Sequence, residues 1–315
     1  MEGPVKVGVV GAGAVGSACV MSLVLRGSTR ELVLVDRTRK RAAAVATDLK
    51  YGASLSPRVE IRDGDYPDLA GAGLVMVTVG ANEKTGGATD RNDPVGRLKL
   101  LDINVGVYKE ILPSLFKAAP DAVILVVTDP PDPLADFVRS FGFKRVLSSG
   151  TFLDSLRFRF HLAQRAGVDP AFVEGQVVGE HGTSEVFLWS SARIAGVPIL
   201  RALRAAEQSE DELRRSVERD VRYANITIIE GNQGSQFGIG MVSARIAEAV
   251  LRDERIVIPI GSYNPKYAVT LSLPSVLGRE GVTEIFEPEM SDAERQGLQR
   301  SAETLRNASS RALRA

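Results

Sequence analysis

The stretch that decides the fold is Val5-Lys-Val-Gly-Val-Val-Gly-Ala-Gly-Ala-Val-Gly16, which continues through a helix-compatible segment into Glu31-Leu-Val-Leu-Val-Asp36. A short β-branched run enters a three-glycine turn, and about 15 helix-compatible residues then lead to a second β run. This order of elements is that of one βαβ unit. The chain therefore begins as an α/β fold.

The three glycines of the turn have separate expected roles. Gly11 allows the tight turn, Gly13 lets a pyrophosphate approach the backbone, and Gly16 lets the helix pack closely on the strand. The phosphates would accept hydrogen bonds from exposed N–H groups at the positive end of the helix. We therefore predict a dinucleotide site at this turn, with Ala14 and Val15 also in contact with the cofactor.

The acid at the end of the second strand selects between cofactors. Asp36 can accept hydrogen bonds from the ribose hydroxyls of the adenosine, whereas its charge opposes a 2′-phosphate. NAD is therefore favoured over NADP, and the adjacent Arg37 is included among the expected cofactor contacts. The further basic residues over 39–41 could indicate a 2′-phosphate pocket, but we favour a solvated helix face.

Composition restricts the classes of partner. The 315 residues suggest two domains, and 39 basic residues balance 39 acidic ones, so the chain has no electrostatic footprint for nucleic acid or an anionic membrane. A small molecule is the expected partner. The single cysteine, Cys19, provides no disulfide framework and suits a reducing cytoplasm, and two histidines exclude an all-histidine metal site.

The 19 uncharged residues Val7–Leu25 have the length of a membrane span, but their glycines, serines and strand alternation argue against one.

Short apolar runs farther along the chain predict a parallel sheet. The runs cover residues 59–62, 74–79 and 122–127. They are bounded by Gly, Pro or Asp, as in strands that are buried on both faces. Alternating with helices, they indicate a doubly wound, Rossmann-type sheet whose ligands bind beyond the carboxyl ends of the strands. We therefore expect cofactor contacts from Thr78 and Gly80, which close the fourth strand, and from Thr128, after the fifth.

A long loop follows the fourth strand. Residues 81–96 have a turn-forming composition, and loops of this length in compact domains are usually lids or disordered inserts. At the ligand edge of a dinucleotide fold a lid is the better interpretation, and we assign it to residues 81–97. The next helix is expected over 97–117 and is expected to break at Pro113. Prolines over residues 128–133 predict an extended turn beside the nicotinamide position.

Two fragments of the second half carry candidate chemistry. Asp154 and Arg157 lie three residues apart on one face of a predicted helix, a spacing that is commonly a surface ion pair. His181 stands between Glu180 and Gly182 after a β run, where an imidazole can face a cleft, although an isolated histidine is more often structural than catalytic. From these fragments alone both interpretations stay open.

The chain as a whole resembles the NAD-dependent L-lactate/malate dehydrogenase family, and most closely its lactate and L-2-hydroxy acid (2-hydroxyisocaproate-like) members. The resemblance covers nearly the whole chain in the family's order. The matching segments are the glycine turn, Leu34-Val-Asp36, Asp48-Leu-Lys-Tyr-Gly52, Thr78-Val-Gly80-Ala, Leu153-Asp-Ser-Leu-Arg-Phe-Arg159, Gly179-Glu-His-Gly182, Gly234-Ser-Gln-Phe-Gly238, Arg245-Ile-Ala-Glu-Ala-Val250 and Leu273-Pro-Ser-Val-Leu-Gly278.

The resemblance implies roles for four residues in an NAD-dependent interconversion of an L-2-hydroxy acid and its 2-oxo acid. His181 would exchange a proton with the substrate oxygen, and Asp154 would hold the other ring nitrogen and stabilise the imidazolium. Arg157 would grip the substrate carboxylate with its planar fork. Arg97, at the end of the lid, would polarise the carbonyl on closure. The nicotinamide supplies the hydride and no metal is required.

Departures from the family's pattern bear on the substrate. Asp129 stands where the family has asparagine, and its carboxylate opposes a bound anion unless it is protonated or pairs with Arg97 or His181. Glu83 aligns with the position that chooses between lactate and malate, and Ser235 would form the far wall of the pocket. A monocarboxylic 2-oxo acid is therefore favoured. Malate remains the alternative, because Lys84 or Arg91 could enter from the enlarged lid.

A further departure concerns regulation. Glu174, seven residues before His181, stands where sugar-phosphate-activated bacterial members carry histidine, while Arg159 is retained. A carboxylate that faces a phosphate is unfavourable. We therefore expect no activation by fructose 1,6-bisphosphate.

The predicted organisation is an NAD-binding domain over 1–149 and an α+β substrate-binding and catalytic domain over 150–315. Strands at 256–260 and 268–273 are expected in an antiparallel sheet of the second domain, and the last helix is expected on the surface of that domain.

The resemblance implies a homo-oligomer, either a dimer or a tetramer. A catalytically weak NAD-binding homologue is a second hypothesis, because of Asp129. The related metal-dependent glycosidases are excluded because no metal-ligand set can be assembled.

Overall fold

The computed structural model describes residues 5–81, 84, 86, 88–93, 96–203, 209–232 and 234–315, with the backbone alone at Gly96 and Arg97. The strands are β1 Lys6–Val10, β2 Glu31–Val35, β3 Glu60–Asp63, β4 Leu74–Val77, β5 Val123–Val126, β6 Val146–Ser148, β7 Val173–Glu174, β8 Val177–Val178, β9 Val186–Phe187, β10 Arg193–Ile194, β11 Val197–Pro198, β12 Ile256–Asn264, β13 Val269–Gly278 and β14 Gly281–Ile285. The α-helices are α1 Ala14–Arg26, α2 Arg39–Gly52, α3 Leu101–Ala118, α4 Pro131–Ser140, α5 Phe152–Ala166, α6 Ile199–Ala202, α7 Glu210–Arg222, α8 Ala224–Gly231, α9 Phe237–Arg252 and α10 Asp292–Arg314. Short 3-10 helices cover Ala53–Leu55, Tyr66–Leu69, Gly96–Leu100 and Pro170–Phe172.

A nine-stranded sheet forms the centre of the fold, in the order β14-β13-β12-β6-β5-β4-β1-β2-β3. Its strands β1 to β6 pair in parallel. Helices cover both faces, with α1, α2 and α9 on one buried cluster and α3, α4 and α10 on the other. The predicted doubly wound, Rossmann-type sheet is therefore confirmed. The helices lie on both faces because strands this apolar need cover on both sides.

The antiparallel strands β12 and β13 do not form a sheet of their own. The two expected strands are present and pair with each other in antiparallel orientation. β12 also pairs with β6 at Gly261 and Ser148, so both strands extend the main sheet, and the assignment of their sheet to the second domain alone was wrong. Gly261 permits this pairing: a Cβ atom there would overlap the Ser148 hydroxyl and lie 2.7 Å from Asp132 Oδ1. The sheet therefore joins the two halves of the chain.

Two expectations about helices were also wrong. Pro113 lies on the exposed side of α3 and does not break the helix, because the buried residues Leu112, before the proline, and Leu115, after it, both hold the helix against the sheet. α10 does not stay on the second domain: Leu298 and Leu305 pack in the cluster around β13, whereas its last turns pack in the cluster with α3 and α4.

The uncharged stretch Val7–Leu25 folds as most of β1, the glycine turn and most of α1. None of the described helices combines the length and the apolar character that a bilayer crossing needs.

Candidate active site

The glycine turn connects β1 to α1 and has little room for side chains. Gly11 has a φ of +112°, which favours glycine, and a Cβ at Gly16 would overlap the carbonyl oxygen of Gly11 and lie 2.9 Å from Thr78 Oγ1. Gly16 thus permits the turn to close on itself, in addition to the predicted packing of helix on strand. A Cβ at Gly13 would meet no heavy atom of the described residues within 4 Å, so among these residues the amino-terminal end of α1 is open to a ligand.

Asp36 lies against this turn. Its Oδ2 accepts a hydrogen bond from Ala12 N at 2.8 Å, and its Oδ1 accepts one from Thr38 N at 2.8 Å. The adjacent Arg37 is exposed, and Arg39 pairs with Asp63 and Asp65 at 3.0 and 2.6 Å. The guanidinium of Arg39 is therefore engaged with carboxylates of its own chain rather than directed to a 2′-phosphate.

A cavity of about 110 Å³ opens next to the turn, between the carboxyl ends of the strands and the second half of the chain. It brings together eight of the predicted site residues: Val15, Thr78, Gly80, Thr128, Asp129, Arg157, His181 and Ser235. Its other lining residues are Ala81, Val127, Ser149, Gly150, Leu153, Asn225 and Ile239. Residues from both halves of the sequence thus share one site.

His181, Asp154 and Arg157 form a connected group at the wall of this cavity. His181 Nδ1 lies 2.5 Å from Asp154 Oδ2, and Arg157 Nη1 donates to Asp154 Oδ1 at 2.9 Å. Asp154 is 1% exposed, so its charge is balanced by these two partners rather than by water. Arg157 Nη2 lies 3.4 Å from Ser235 Oγ, a long contact that a better acceptor would replace.

Asp129 faces the other nitrogen of the imidazole. Its Oδ1 lies 3.9 Å from His181 Nε2. The carboxylate is therefore within ion-pair distance of a protonated His181, whereas the side chain of Arg97 lies outside the described residues. The main-chain oxygen of Asp129 accepts a 2.6 Å hydrogen bond from Asn104 Nδ2, which fixes the backbone at the end of β5.

Asn104 is a site residue that the sequence reasoning missed. It is fully buried in α3, and its Oδ1 also accepts from Ala81 N at 2.7 Å. It thereby joins the start of the predicted lid to the carboxyl end of β5. The available signal was an amide on the apolar face of a helix, where a buried polar group needs hydrogen-bond partners.

Asp132 was also missed as a site residue. The expected extended turn ends at Pro130, and Pro131 begins α4, because a proline at the first helical position has no N–H to leave unsatisfied. Asp132, in the first turn of α4, accepts a hydrogen bond from the His181 main-chain N–H at 2.8 Å and another from Ser148 Oγ. Burial raises the pKa of Asp132 to about 7, although both hydrogen bonds act to lower it.

The predicted lid is described only in part. Glu83 and the side chain of Arg97 lie outside the described residues, and Lys84 is exposed. Arg91 pairs with Glu230 of α8 through contacts of 2.6 and 3.0 Å and donates to Thr227 at 3.2 Å. In this arrangement Arg91 is held at α8 and does not line the cavity.

Comparison with known proteins identifies the family. Residues 5–145 match the model for the lactate/malate dehydrogenase NAD binding domain, and residues 151–314 match the model for the lactate/malate dehydrogenase alpha/beta C-terminal domain. Full-length relatives agree with this. An L-lactate dehydrogenase of Deinococcus radiodurans is 44% identical, with 96% of this chain and 97% of that protein covered. An L-lactate dehydrogenase of Thermus aquaticus is 42% identical, with 97% and 98% covered.

Solved structures show the same similarity. A lactate dehydrogenase from a Medee basin deep-sea metagenome library superposes with a TM-score of 0.89 at 31% identity, with 98% of this chain and 99% of that chain covered. The minor L-lactate dehydrogenase of Enterococcus mundtii superposes with a TM-score of 0.88 at 29% identity, with 97% and 98% covered. The protein therefore belongs to the lactate/malate dehydrogenase family, a family of NAD-dependent oxidoreductases.

Proposed function

We propose that the protein is an NAD-dependent L-lactate dehydrogenase that interconverts L-lactate, or a larger monocarboxylic analogue, with the 2-oxo acid. The observation that carries this proposal is the connected group in the cavity. One buried carboxylate, Asp154, holds the imidazole of His181 on one oxygen and the guanidinium of Arg157 on the other. An acid/base and a carboxylate-binding fork are thereby presented to the same small space.

His181 would act as the acid and base. With Nδ1 bound to Asp154 at 2.5 Å, its Nε2 is the nitrogen that can give a proton to the keto oxygen in reduction and take it back in oxidation. The buried carboxylate of Asp154 stabilises the imidazolium that carries this proton.

Arg157 would orient the substrate. A carboxylate placed in the cavity can replace the 3.4 Å contact between Arg157 Nη2 and Ser235 and receive a charge-assisted hydrogen bond. The pair with Asp154 keeps the guanidinium in place as the substrate enters. At the end of the lid, Arg97 would polarise the carbonyl, as the family resemblance implies.

NAD fits the residues of the first domain. The open end of α1 at Gly13 would receive the pyrophosphate, and Asp36 would accept hydrogen bonds from the ribose, while Ala14, Val15, Arg37, Thr78, Gly80 and Thr128 would complete the contacts. When bound, the nicotinamide supplies or accepts the hydride. We place the boundary of this NAD-binding domain at residue 149 and the substrate-binding and catalytic domain over 150–315.

A monocarboxylic acid is the favoured substrate. Malate would need a cation at the far end of the pocket, and Arg91 is engaged with Glu230 and Thr227. Ser235 at the pocket wall leaves space for a substrate side chain, and Glu83 would repel a second carboxylate.

A second candidate function is a catalytically weak NAD-binding homologue. The specific observation in its favour is Asp129, whose carboxylate lies 3.9 Å from His181 Nε2 on the side where the substrate oxygen would bind. An anionic substrate would meet this charge as well as the fork of Arg157.

We also propose that the protein forms a homo-oligomer, either a dimer or a tetramer, and that it is located in the cytoplasm. Helices α1 and α9 touch at Ala18 and Gly240, and both carry large apolar side chains that are exposed in the single chain, Met21 and Leu25 on α1 and Phe237 and Met241 on α9. The single buried cysteine suits a reducing compartment. Light scattering after gel filtration would give a multiple of 33.8 kDa.

The test of the function is a panel of 2-oxo acids with NADH, followed by loss of NADH absorbance. Pyruvate, 2-oxoisocaproate, phenylpyruvate and oxaloacetate distinguish the candidates. Turnover of the monocarboxylic acids above that of oxaloacetate supports the proposal, and the opposite order supports malate dehydrogenase. If the protein bound NADH but turned over none of these acids, the result would support the second candidate function, a catalytically weak NAD-binding homologue.

A further inference from the structure

The main chain that carries His181 is held by three other parts of the protein. Gly179 N donates to the main-chain oxygen of Ser272 on β13 at 2.8 Å, and Glu180 N donates to Ser301 Oγ on α10 at 2.8 Å. His181 N donates to Asp132 Oδ2 on α4 at 2.8 Å. Three successive amides are thus bound to three elements, and the one next to the imidazole is bound by a carboxylate.

Asp132 uses both of its oxygens. Oδ2 accepts from His181 N, and Oδ1 accepts from Ser148 Oγ at the end of β6. The residue is 1% exposed, and no water is needed to satisfy these contacts. Asp132 lies on α4, which follows β5, and Ser148 is the last residue of β6. The two hydrogen bonds of Asp132 therefore connect the main chain of His181 to the central sheet.

Two carboxylates therefore hold His181, one at its ring and one at its main chain. Asp154, on α5, fixes the ring through Nδ1, and Asp132, on α4, fixes the main chain of the same residue. If only the ring were held, its position would still depend on the loop segment that carries His181. A displacement of a catalytic group by about 1 Å can lower the rate about 100-fold.

We propose that Asp132 is a positioning residue for proton transfer: it holds the main chain of His181 so that Nε2 faces the substrate oxygen. This inference rests on the proposed function of His181 but adds a residue that touches neither substrate nor cofactor. The contact needs an acceptor at Oδ2 rather than a charge, so an amide at this position serves almost as well.

The chain offers a matched control on the same helix. Asp136, one turn after Asp132, is also buried, at 3% exposure, and accepts hydrogen bonds from Thr270 Oγ1 at 2.6 Å and Ser309 Oγ at 2.7 Å. Its described contacts do not include His181. Loss of Asp136 removes comparable hydrogen bonds from the same helix but leaves the hydrogen bond from His181 N to Asp132 in place.

The experiment compares Asp132→Leu, Asp132→Asn and Asp136→Leu in the full-length protein. For Asp132→Leu we expect kcat for pyruvate reduction to fall between about tenfold and 100-fold, with KM changed less than about threefold because Arg157 keeps its partner. Asp132→Asn should recover most of this kcat, because the amide oxygen can accept from His181 N and the amide N–H can donate to Ser148. Asp136→Leu should lower the melting temperature with kcat within about threefold of the parent.

A second readout is independent of activity. The chain has two histidines, His161 and His181, so carbon-13 labelling at Cε1 gives two signals, which a His161→Gln variant assigns. We expect the His181 signal to shift in Asp132→Leu and to stay in place in Asp136→Leu. If the parent protein turned over no 2-oxo acid, the proposed function would fail while this comparison still tested the anchor.

Two outcomes would overturn the inference: an Asp132→Leu protein with the parent's kcat and His181 signal, or an Asp136→Leu protein that loses as much kcat as Asp132→Leu. If Asp132→Leu does not fold, Asp132→Ser replaces it, because the serine hydroxyl is too short to keep both contacts. The same two readouts then decide.

Discussion

Asp129 Oδ1 lies 3.9 Å from Nε2 of His181, the nitrogen that would exchange a proton with the substrate. The carboxylate and the substrate carbonyl would therefore compete for the same face of the imidazole. An asparagine at this position would remove the negative charge and present an amide donor to the substrate oxygen.

We accordingly expect Asp129→Asn to raise kcat/KM for pyruvate reduction about tenfold, which corresponds to about 1.4 kcal/mol. Steady-state kinetics with NADH measures this. The dissociation constant of NADH serves as the control and should not change. An unchanged or lower rate would show that the site accommodates Asp129 as it is.

The shared carboxylate of Asp154 predicts a larger effect in the opposite direction. Asp154→Asn keeps the size of the side chain but removes the charge that holds both His181 and Arg157. We expect kcat to fall at least about 100-fold, because acid/base catalysis and substrate orientation are both weakened. Retained NADH binding would confirm that the fold is intact, and a loss below about fivefold would contradict the role assigned to Asp154.

The buried Asp132 predicts a pH-dependent stability. Burial raises its pKa from 3.8 to about 7 against the opposing hydrogen bonds from Ser148 and His181, and the nearby charge of Glu180 raises it further while that of His181 lowers it. The folded protein then binds the proton more tightly than the unfolded chain, so this residue's contribution to stability falls as pH rises from about 4 to about 7 and is constant above that.

Asp132→Asn does not titrate. The difference in melting temperature, variant minus parent, should therefore become more positive between about pH 5 and about pH 8, by roughly 5 °C. Other titrating groups are common to both proteins and cancel in the difference. A difference that is constant with pH would place the pKa of Asp132 in its ordinary range.

Asp36 predicts the choice of cofactor. Asp36→Asn keeps an acceptor for Ala12 N but removes the charge that would oppose a 2′-phosphate. We expect the ratio of kcat/KM for NADH over NADPH to fall at least about tenfold, because like-charge repulsion is removed. An unchanged ratio would assign the selectivity to other residues of the turn.

The surroundings of Arg159 predict that a sugar bisphosphate does not activate the protein. Arg159 Nε donates to Gly175 O at 2.8 Å, and burial lowers the pKa of Arg159 while the charge of the nearby Glu174 acts in the opposite direction. A sugar bisphosphate would meet that carboxylate. Addition of fructose 1,6-bisphosphate should therefore leave the KM for pyruvate within about twofold. A large decrease in KM would contradict this, and Glu174→His would be the variant expected to gain the response.

The sequence by itself determined the elements whose signals are local. The βαβ unit with its glycine turn is specified by alternation and by residues a few positions apart, and so are the capping boxes at Ser209 and Ser291 that begin α7 and α10. Asp154 and Arg157 are also local, because three residues of a helix bring their side chains to one face.

Only the tertiary structure decided which distant segments meet. His181 and Asp154 are 27 residues apart, and His181 and Asp132 are 49 apart, so no local spacing predicts either contact. The joining of β12 to β6, the bridging position of α10 and the buried amide of Asn104 likewise depend on the packing of the whole chain. The physical reason is that backbone propensities act over a few residues, whereas pairing of strands and burial of polar groups are set by long-range contacts between segments whose order in the chain does not fix their distance.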